Sequence, residues 1–462
     1  MVPSCCILSL LLLSAGHAQA FSQNSSNPYR RQYSLFYNRR NNKNPSSNRN
    51  AKNKRGNSNE PQHLSEEDVS KDKSPQQIAK DLQSNNYFFS KNELSNPEFS
   101  LINEHSTFEK LCSSVGITRP SRIQSLAWPS LLSGKHAIIA DQTGSGKTLS
   151  YLLPLLQRMK MLEHRSGNNS ENPSAVQVLV LAPTAELCDQ IKKVCAKLAN
   201  SGVPFRTMVA TANGRKAAPI RDQIRELQSS NVNVLVSTPG RVSAFLKSGS
   251  LDLSYLQAIV LDEVDILLDE TFGPQLRTVG VAAPESTQFV FVTATLPDNI
   301  VQNVKSEFPG VLTIKGPGLH KIAPNVQEHL VDVSVPPAMN RDKAACFNLK
   351  SSELMRSLRK NKSERTLIFC NTVESCRSVE NLLKRNDRRG KAYNVGCYHG
   401  ALSPSKRNRD LAAFSKPTTD RMNDQVLICT DRAARGVDFG GSVVDHVIIF
   451  DFPKDPAEYL RR

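Results

Sequence analysis

The stretch 137–156 combines a short apolar run, a glycine-rich loop and a second apolar run, in the order that a phosphate-binding loop requires. Ala137–Ala140 predicts a buried strand, and residues 141–148 read Asp-Gln-Thr-Gly-Ser-Gly-Lys-Thr. Glycines allow backbone N–H groups to turn toward a phosphate, and the helix that follows adds the positive end of its dipole. Lys147 is therefore expected to contact the β- and γ-phosphates of a nucleotide, and the Thr148 hydroxyl is expected to bind Mg²⁺.

The phosphate-binding set predicted from this loop comprises Thr143, Gly144, Ser145, Gly146, Lys147 and Thr148. Asp141 stands where the general motif has its first glycine. A glycine-rich turn that only begins a helix is the alternative, but it does not explain why lysine and threonine follow the last glycine. The loop therefore predicts a nucleotide as a ligand and Mg²⁺ as the accompanying ion.

An acidic cluster ends a second apolar run. Ala258–Leu261 predicts another buried strand, and Asp262-Glu263-Val264-Asp265 follows it directly. Because α/β sheets bind ligands at the carboxyl ends of their strands, these carboxylates are expected near the glycine-rich loop. Asp262 is expected to hold Mg²⁺ through water, and Glu263 to accept a proton from an attacking water. A solvated acidic turn is the alternative for any one of these acids.

Such sites need a scaffold of parallel strands and helices, and the chain is long enough to build it. It has 462 residues, 39% of them hydrophobic, which allows two or three domains with sizeable cores. The formal net charge is +16: residues 1–95 carry 13 Lys/Arg and 7 Asp/Glu, and the remainder carries 46 and 36. A basic body favours a polyanionic partner such as nucleic acid.

The ordered motifs resemble those of the DEAD-box RNA helicases, with Asp-Glu-Val-Asp at 262–265 in place of Asp-Glu-Ala-Asp. The resemblance extends from about Phe99 to the last residue. It implies an α/β fold of two tandem RecA-like domains with parallel sheets, and an RNA-dependent ATPase that locally unwinds RNA. Phe99 and Gln124 match a family motif in which Gln124 would read the adenine edge and Phe99 would stack nearby.

Three further motifs of the first half resemble RNA-contacting or coupling elements of that family. Residues 183–187 match Pro-Thr-Arg-Glu-Leu except that Ala185 replaces Arg, and Thr293-Ala294-Thr295 matches Ser-Ala-Thr with a conserved hydroxyl. The implied RNA contacts are Pro183, Thr184, Thr238, Pro239, Gly240 and Arg241. The implied coupling residues are Asp265, Thr293 and Thr295. Phosphate contacts of this kind fix an RNA strand without reading its sequence.

Glycine and proline within 316–324 predict the connection between the two halves. The second half contains four stretches that resemble motifs or strands of the family: 366–372, 398–400, 426–438 and 447–453. By the resemblance, Thr430 would meet an RNA phosphate, Arg435 would couple the RNA and nucleotide sites, and Asp438 would contribute to ATP binding.

The sequence ends inside the next family motif, of the form Tyr-x-His-Arg-x-Gly-Arg-x-x-Arg. Tyr459-Leu460-Arg461-Arg462 begins it, with Arg461 in place of His. The second RecA-like domain is therefore expected to be incomplete, and the sequence to be a fragment. If the chain ended there, it would act as an ATP-dependent RNA clamp with little hydrolysis, since an arginine finger accelerates phosphoryl transfer by about 10³–10⁵.

The expected partner is RNA, bound without sequence specificity and preferred over DNA through its 2′-OH. A ribonucleoprotein or ribosomal RNA is a further expected target, and the chain is expected to be a monomer with no integral membrane role. A different P-loop ATPase, such as a DNA helicase, is the other alternative, and the order of the motifs argues against it.

The N-terminus resembles a two-part presequence for a complex plastid. The apolar run Ile7–Leu13 and the small residues up to Ala20 resemble a signal peptide, although Lys and Arg are missing before the run. Residues 21–59 then hold nine Lys/Arg and no acidic residue, as transit peptides do. The alternative is a basic tail that binds RNA. We therefore expect import into the plastid stroma, with another organelle or the nucleus and cytoplasm as alternatives.

The ten cysteines form no CxxC pair, so the sequence predicts buried, reduced thiols and not a zinc site. The predicted organisation is a signal-peptide-like segment 1–20, a transit-peptide-like segment 21–59, a disordered linker 60–95, a first RecA-like domain 96–317 and a second RecA-like domain 326–462.

Overall fold

The computed structural model describes residues 89–90, 106–165, 176–212, 218–268, 270–322, 326–334, 343–361, 363–390, 392–416, 424–431, 444–453 and 455–462. The predicted presequence, residues 60–88 and 91–95 of the predicted linker, Phe99, Arg435 and Asp438 lie outside these residues. The prediction of a disordered linker is wrong at residues 89–90, because Phe89 forms a bridge with Ser121 and the Ser90 N–H donates to the Pro120 carbonyl at 3.0 Å. The first and second halves of the described chain each form one parallel sheet flanked by helices.

The first half contains a seven-stranded sheet of order β3-β4-β2-β5-β6-β1-β7, in which every pair is parallel. Its strands are β1 Ala137–Ala140, β2 Val178–Leu181, β3 Thr207–Ala210, β4 Val234–Ser237, β5 Ala258–Asp262, β6 Gln288–Thr293 and β7 Leu312–Lys315. Because parallel neighbours need a crossover, helices connect successive strands and cover both faces of the sheet.

Alternation along the short strands builds two cores from one sheet. Ile138 and Ala140 of β1 point into one cluster of buried apolar side chains, whereas Ala137 and Ile139 point into the other. The same alternation holds along β5, where Ile259 faces the first cluster. Strands buried on both faces appear in the sequence as continuous apolar runs, which explains why the predicted strands at 137–140 and 258–261 are confirmed.

The α-helices of the first half are α1 Ser106–Ser114, α2 Arg122–Leu132, α3 Lys147–Arg165, α4 Ala185–Ala199, α5 Ile220–Ser229, α6 Pro239–Lys247, α7 Val264–Leu267, α8 Gly273–Ala282 and α9 Asp298–Glu307. A short 3₁₀ helix spans Glu270–Phe272. The helix predicted after the glycine-rich loop begins earlier than its apolar run, at Lys147 itself. The loop therefore passes directly into the first turn of a 19-residue helix.

The second half contains a four-stranded parallel sheet of order β11-β8-β10-β9. Its elements are α10 Lys343–Lys360, β8 Arg365–Cys370, α11 Val373–Asn386, β9 Tyr393–Tyr398, α12 Pro404–Phe414, β10 Asp424–Thr430, β11 His446–Ile449 and α13 Pro456–Arg461. The strands predicted at 366–372 and 447–453 are thus confirmed, with β8 and β11 each starting one residue early. Residues 426–430 of the motif at 426–438 lie in β10.

A buried arginine closes one end of the second sheet. Arg365 begins β8 and is 6% exposed. Its Nε donates to the Phe414 carbonyl at 3.0 Å, and its Nη2 donates to the Lys416 carbonyl at 2.8 Å. Both carbonyls lie at or just after the last residue of α12, where a helix has no N–H groups of its own left to donate to them. Arg365 therefore ties the end of α12 to the sheet.

The parallel α/β fold predicted from the sequence is confirmed by both sheets. All eight cysteines within the described residues are free, and seven of them are buried. Within the same residues, no helix combines the length and apolarity needed to span a bilayer.

Candidate functional site

The order of the first sheet brings four loops to one edge. Strands β5, β6, β1 and β7 are consecutive neighbours, so their carboxyl ends lie side by side. Asp262 pairs with Val292, and Ala140 pairs with Thr293 across the sheet. The acidic cluster, the Thr293–Thr295 loop and the glycine-rich loop therefore leave adjacent strands at the same level.

The glycine-rich loop has the backbone that its glycines predict. Gly144 and Gly146 adopt φ of 79° and 92°, a region that side-chain-bearing residues avoid. Lys147 Nζ donates to the Asp141 carbonyl at 2.8 Å and to the Gln142 carbonyl at 2.7 Å. The lysine ammonium therefore lies over the mouth of the loop, where it is held by two main-chain acceptors that a phosphate could replace.

The electrostatics around Lys147 are dominated by burial and by three carboxylates. Burial lowers the pKa of the Lys147 ammonium, whereas the charges of Asp262, Asp141 and Glu263 raise it. Lys147 therefore lies within electrostatic reach of carboxylates from two separate loops, the glycine-rich loop after β1 and the acidic cluster after β5. The structure thus groups Lys147 with the acidic cluster, as the sequence predicted.

Gln124 contacts the glycine-rich loop directly. Its Oε1 accepts from the Ser121 N–H at 2.9 Å, and its Nε2 donates to the Gly146 carbonyl at 3.3 Å. The side chain is 5% exposed. Gln124 is therefore placed beside the loop that would hold the phosphates, and its proposed reading of adenine stays a prediction.

The carboxylate of Asp262 is buried and oriented from two sides. Its Oδ2 accepts from the Tyr151 hydroxyl at 2.9 Å, and its Oδ1 accepts from the Glu263 N–H at 3.0 Å. Burial raises the pKa of Asp262, while the Tyr151 hydrogen bond and the Lys147 charge oppose that rise. These bonds hold one carboxylate in a fixed orientation at the end of β5.

Tyr151 was not singled out in the sequence analysis, although a signal was present. It lies four residues after Lys147 in α3, so both side chains are on the same helical face. It is fully buried, and burial raises the pKa of its hydroxyl well above the ordinary value. A tyrosine on the functional face of this helix supplies the donor that positions Asp262.

Glu263 has an unusual backbone. Its φ is 55° and its ψ is 52°, which is the left-handed region, and α7 begins at the next residue. For a residue with a side chain this conformation costs on the order of 1–3 kcal/mol and is typical of functional turns. The strand-to-helix turn at the acidic cluster is therefore strained at the residue predicted to act as the base.

Asp265 joins the acidic cluster to the next loop. Its Oδ1 accepts from Thr293 Oγ1 at 3.0 Å, and its Oδ2 accepts from Thr295 Oγ1 at 3.3 Å. Arg461 forms an ion pair with the same carboxylate, and its Nη2 lies 2.7 Å from Thr295 Oγ1. The structure therefore brings together three of the four predicted coupling residues and adds an arginine from the second half.

The residues predicted to contact RNA lie farther along the same edge, after β2 and β4. Thr184 caps α4 by accepting from the Leu187 N–H at 3.2 Å, and Pro183 precedes it. Thr238 is the cap of α6, which starts with Pro239. Two helix N-termini, each with a positive dipole end, are thus placed at neighbouring strands of one sheet edge.

Arg241 lies in the first turn of α6, together with Gly240. Its Nη2 donates to the Thr211 carbonyl at 3.2 Å, and partial burial lowers its pKa. In the second half, Thr430 is the last residue of β10, one of the two inner strands of the four-stranded sheet. RNA contacts by these residues stay predictions, as do the roles of Arg435 and Asp438 beyond the described part of the chain.

Two family models match the chain in order. The model described as DEAD/DEAH box helicase matches residues 121–304, and the model described as Helicase conserved C-terminal domain matches residues 349–462. The chain belongs to the DEAD/DEAH box helicase family. The resemblance derived from the motifs is therefore confirmed at the level of the family.

Curated DEAD-box relatives match about three quarters of the chain. A protein named DEAD-box ATP-dependent RNA helicase 50 from Arabidopsis thaliana is 41% identical over 345 residues, 74% of this chain and 43% of the relative. Its namesake from Oryza sativa subsp. japonica is 42% identical over 351 residues, 76% of this chain and 53% of the relative. The chain thus spans about half the length of these curated relatives.

Solved structures of DEAD-box proteins share the architecture. S. cerevisiae Dbp5 bound to RNA and ADP BeF3 matches with a TM-score of 0.59 and 25% identity, covering 79% of this chain and 84% of that chain. The DEAD-box helicase Mss116 bound to ssRNA and UDP-BeF matches with a TM-score of 0.61 at 21% identity, covering 79% and 71%, which supports the fold alone. Two RecA-like domains with parallel sheets, the predicted fold class, are confirmed.

Proposed function

We propose that this DEAD-box protein is an ATP-dependent RNA helicase, which hydrolyses ATP with Mg²⁺ and locally unwinds duplex RNA or remodels ribonucleoproteins. The observation that carries the proposal is the arrangement of one sheet edge. The loops after β1, β5 and β6 leave neighbouring strands side by side, and two helix N-termini after β2 and β4 extend the same edge. Names of the curated relatives and the RNA in the Dbp5 structure support the same activity.

The nucleotide half of the proposal rests on Lys147. In the structure its ammonium donates to two loop carbonyls, those of Asp141 and Gln142. A triphosphate in this loop would offer the ammonium charged acceptors, which are stronger than neutral carbonyls. Lys147 would therefore turn from the Asp141 and Gln142 carbonyls to the phosphates when ATP binds.

The donor set at the end of β5 fits a magnesium ion. Asp262 offers a carboxylate held by Tyr151 and by the Glu263 N–H, and Thr148 offers a hydroxyl at the start of α3. Oxygen donors of this kind are the ligands that Mg²⁺ prefers. The bound ion would neutralise charge on the phosphates, and the protein's part is to fix Asp262 and Thr148 beside the loop.

Glu263 is the residue we assign as the base for the attacking water. The charge of Glu263 raises the pKa of both Lys147 and Arg461, so its carboxylate lies within electrostatic reach of the predicted phosphate site. Asp265 then connects the same turn to Thr293 and Thr295. Through this connection, a change at the nucleotide would reach the loop that Arg461 contacts from the second half.

The test of this function is Glu263→Gln, which removes the base and leaves the phosphate-binding loop intact. We expect ATP binding within about twofold of the wild type and a loss of RNA-stimulated hydrolysis of at least about 100-fold, the lower size of a general-base contribution. Glu226→Gln, an exposed glutamate on α5, is the matched control and should behave as the wild type. Undiminished turnover in Glu263→Gln would refute the assignment.

The nature of the polymer is tested in the same assay. We expect single-stranded RNA to stimulate hydrolysis and DNA of the same sequence to stimulate it much less, since contacts to the 2′-OH distinguish the two. Scrambled RNA sequences should stimulate equally. Stronger stimulation by DNA would favour the DNA helicase alternative.

We also propose that the protein acts in plastid RNA metabolism. The support is compositional: an apolar run at 7–13, small residues to Ala20, and a basic stretch to Asn59 without one acid. Residues 1–60 fused to a fluorescent protein should enter the plastid stroma of an alga with complex plastids. Retention of the fusion in the cytosol or nucleus would contradict this destination.

A further inference from the structure

Two glycines after β7 approach the glycine-rich loop more closely than any side chain would allow. A Cβ added to Gly316 would lie 2.1 Å from Asp141 Cγ, and one added to Gly318 would lie 2.5 Å from Gln142 Cδ. The segment 316–322, called the connector below, leads from the first sheet toward the second half of the chain. Its glycines are therefore explained by contact with the loop that begins at Asp141.

Hydrogen bonds hold the connector at this place. The Gly316 N–H donates to the Ala140 carbonyl at 2.8 Å, which extends the pairing of β7 with β1. The Gly318 N–H donates to Asp141 Oδ1 at 3.1 Å, and the same oxygen accepts from the Gln142 N–H at 2.9 Å. One carboxylate oxygen thus bonds both to its own loop and to the connector.

Asp141 is buried, with 3% of its surface exposed, so its carboxylate needs these donors. Burial raises the pKa of Asp141, whereas the hydrogen bonds and the charge of Lys147 oppose the rise. Phosphate binding by the loop relies on its glycine amides, on Lys147 and on Thr148. The side chain of Asp141 instead accepts hydrogen bonds from its own loop and from the connector.

The far end of the connector touches a second functional loop. His320 has a left-handed φ of 57°, and its Nε2 accepts from the Leu296 N–H at 3.1 Å. Leu296 directly follows Thr295, which contacts Asp265. The connector is therefore bonded to the phosphate-binding loop at one end and to the coupling loop at the other.

We propose that Asp141 is a positioning residue that fastens the connector to the phosphate-binding loop, so that nucleotide binding in the loop is transmitted to the segment joining the two halves. The coupling rests on the proposed function. When Lys147 turns to a phosphate, the Asp141 and Gln142 carbonyls lose their donor. The main chain at 141–142 can then shift, and the Asp141 side chain carries that shift to Gly318.

The fastening is tested without nucleotide, by hydrogen–deuterium exchange of the peptide covering 316–320 in the full chain. We expect Asp141→Ala to speed exchange there about tenfold, the size expected when a hydrogen bond to a carboxylate is lost. Gly316→Ala should do the same, because its methyl collides with the Asp141 carboxyl group. Asp141→Ala removes Cγ, Oδ1 and Oδ2, the three atoms with which that methyl collides. The double variant should therefore exchange no faster than Asp141→Ala alone.

These three variants form a double-mutant cycle. If the double variant sped exchange by the sum of the two single effects, the proposed fastening would be overturned, because the methyl at position 316 would then act independently of Asp141. Gly400→Ala is the matched control: an added Cβ meets nothing within 4 Å there, and exchange of the connector should stay unchanged. Asp141→Asn keeps the acceptor oxygen without the charge. Its connector should exchange nearly as in the wild type, which separates the hydrogen bond from the charge that Lys147 senses.

The coupling is tested by adding a non-hydrolysable ATP analogue with Mg²⁺. In the wild type the analogue should change connector exchange, whereas Asp141→Ala should bind the analogue and show no such change. A retained change in Asp141→Ala would overturn the coupling. If the wild type bound no analogue, the proposed function would fail. The exchange measurements on the variants without nucleotide would still decide whether Asp141 fastens the connector.

Discussion

Tyr151→Phe removes one oxygen atom and leaves the rest of the site in place. The hydroxyl is fully buried and donates to Asp262 Oδ2 at 2.9 Å. A hydrogen bond to a charged group contributes about 1.5–3 kcal/mol, against about 0.5–1.5 kcal/mol for a neutral pair. Because the ring remains, the variant tests the bond and not the packing. We expect the free energy of unfolding to fall by about 1.5–3 kcal/mol at pH 8.

The pKa of Asp262 predicts how the stability difference between Tyr151→Phe and the wild type changes with pH. Burial raises the pKa of Asp262, and the Tyr151 hydroxyl lowers it, so the variant raises it further. A carboxyl group whose folded pKa is raised costs stability above that pKa, and the cost disappears as the pH falls through it. The difference between Tyr151→Phe and the wild type should therefore shrink toward the neutral-bond value as the solution is acidified.

Urea unfolding measures the effect through the single tryptophan. Trp128 is fully buried in the same apolar cluster as Tyr151, so its fluorescence reports the unfolding of the first half. Tyr255→Phe makes the same chemical change at a residue that is 48% exposed, and it should alter stability by less than about 0.5 kcal/mol. In the ATPase assay, loss of a group that orients a metal ligand should raise the Mg²⁺ requirement about 10- to 100-fold.

Unfolding of Tyr151→Phe at the wild-type urea concentration at pH 8 would contradict a stabilising bond between Tyr151 and Asp262. A destabilisation that grows on acidification would also contradict it, since Asp262 would then not be the acceptor that matters. An unchanged Mg²⁺ requirement with lowered stability would limit Tyr151 to a structural role.

Two further substitutions test the geometry of each half. Gly146→Ala should lower affinity for a fluorescent ATP analogue at least about tenfold, because its Cβ would lie 2.6 Å from Gln124 Nε2 at a φ of 92°; unchanged affinity would contradict the loop geometry. Arg365→Met should lower the stability of the second half by about 1–3 kcal/mol, because the Phe414 and Lys416 carbonyls lose their donors. Hydrogen exchange along β8 measures this change, and wild-type protection there would refute it.

The sequence sufficed for the strands at 137–140 and 258–261 and for the loops that follow them. Runs such as Ala137–Ala140 are apolar throughout because both faces of the sheet are covered, so the strands could be located without knowing their neighbours. The loop glycines and Lys147 could be predicted because their chemistry depends on residues close in sequence. The acidic cluster could be predicted because it ends a strand.

Contacts between distant parts of the chain could not be predicted in this way. Tyr151 and Asp262 are 111 residues apart, and Asp141 and Gly318 are 177 residues apart. Periodicity places Tyr151 on the face of Lys147 but does not say which acid it meets. Gly318 indicated a loop, whereas its real constraint is the close approach of Gln142. Such pairings depend on strand order, which only the folded sheet defines.

The position of β1 limits how the first domain can move. The strand lies between β6 and β7, and its bonding continues past its end, from the Asp141 N–H to the Thr293 carbonyl and from the Gly316 N–H to the Ala140 carbonyl. Sliding β1 along its axis would break bonds on both sides at once. The sheet therefore serves as a fixed frame of reference. Movement in the first domain is then expected to come from side-chain rotation and loop rearrangement at the edge of the sheet, with the strands themselves staying in place.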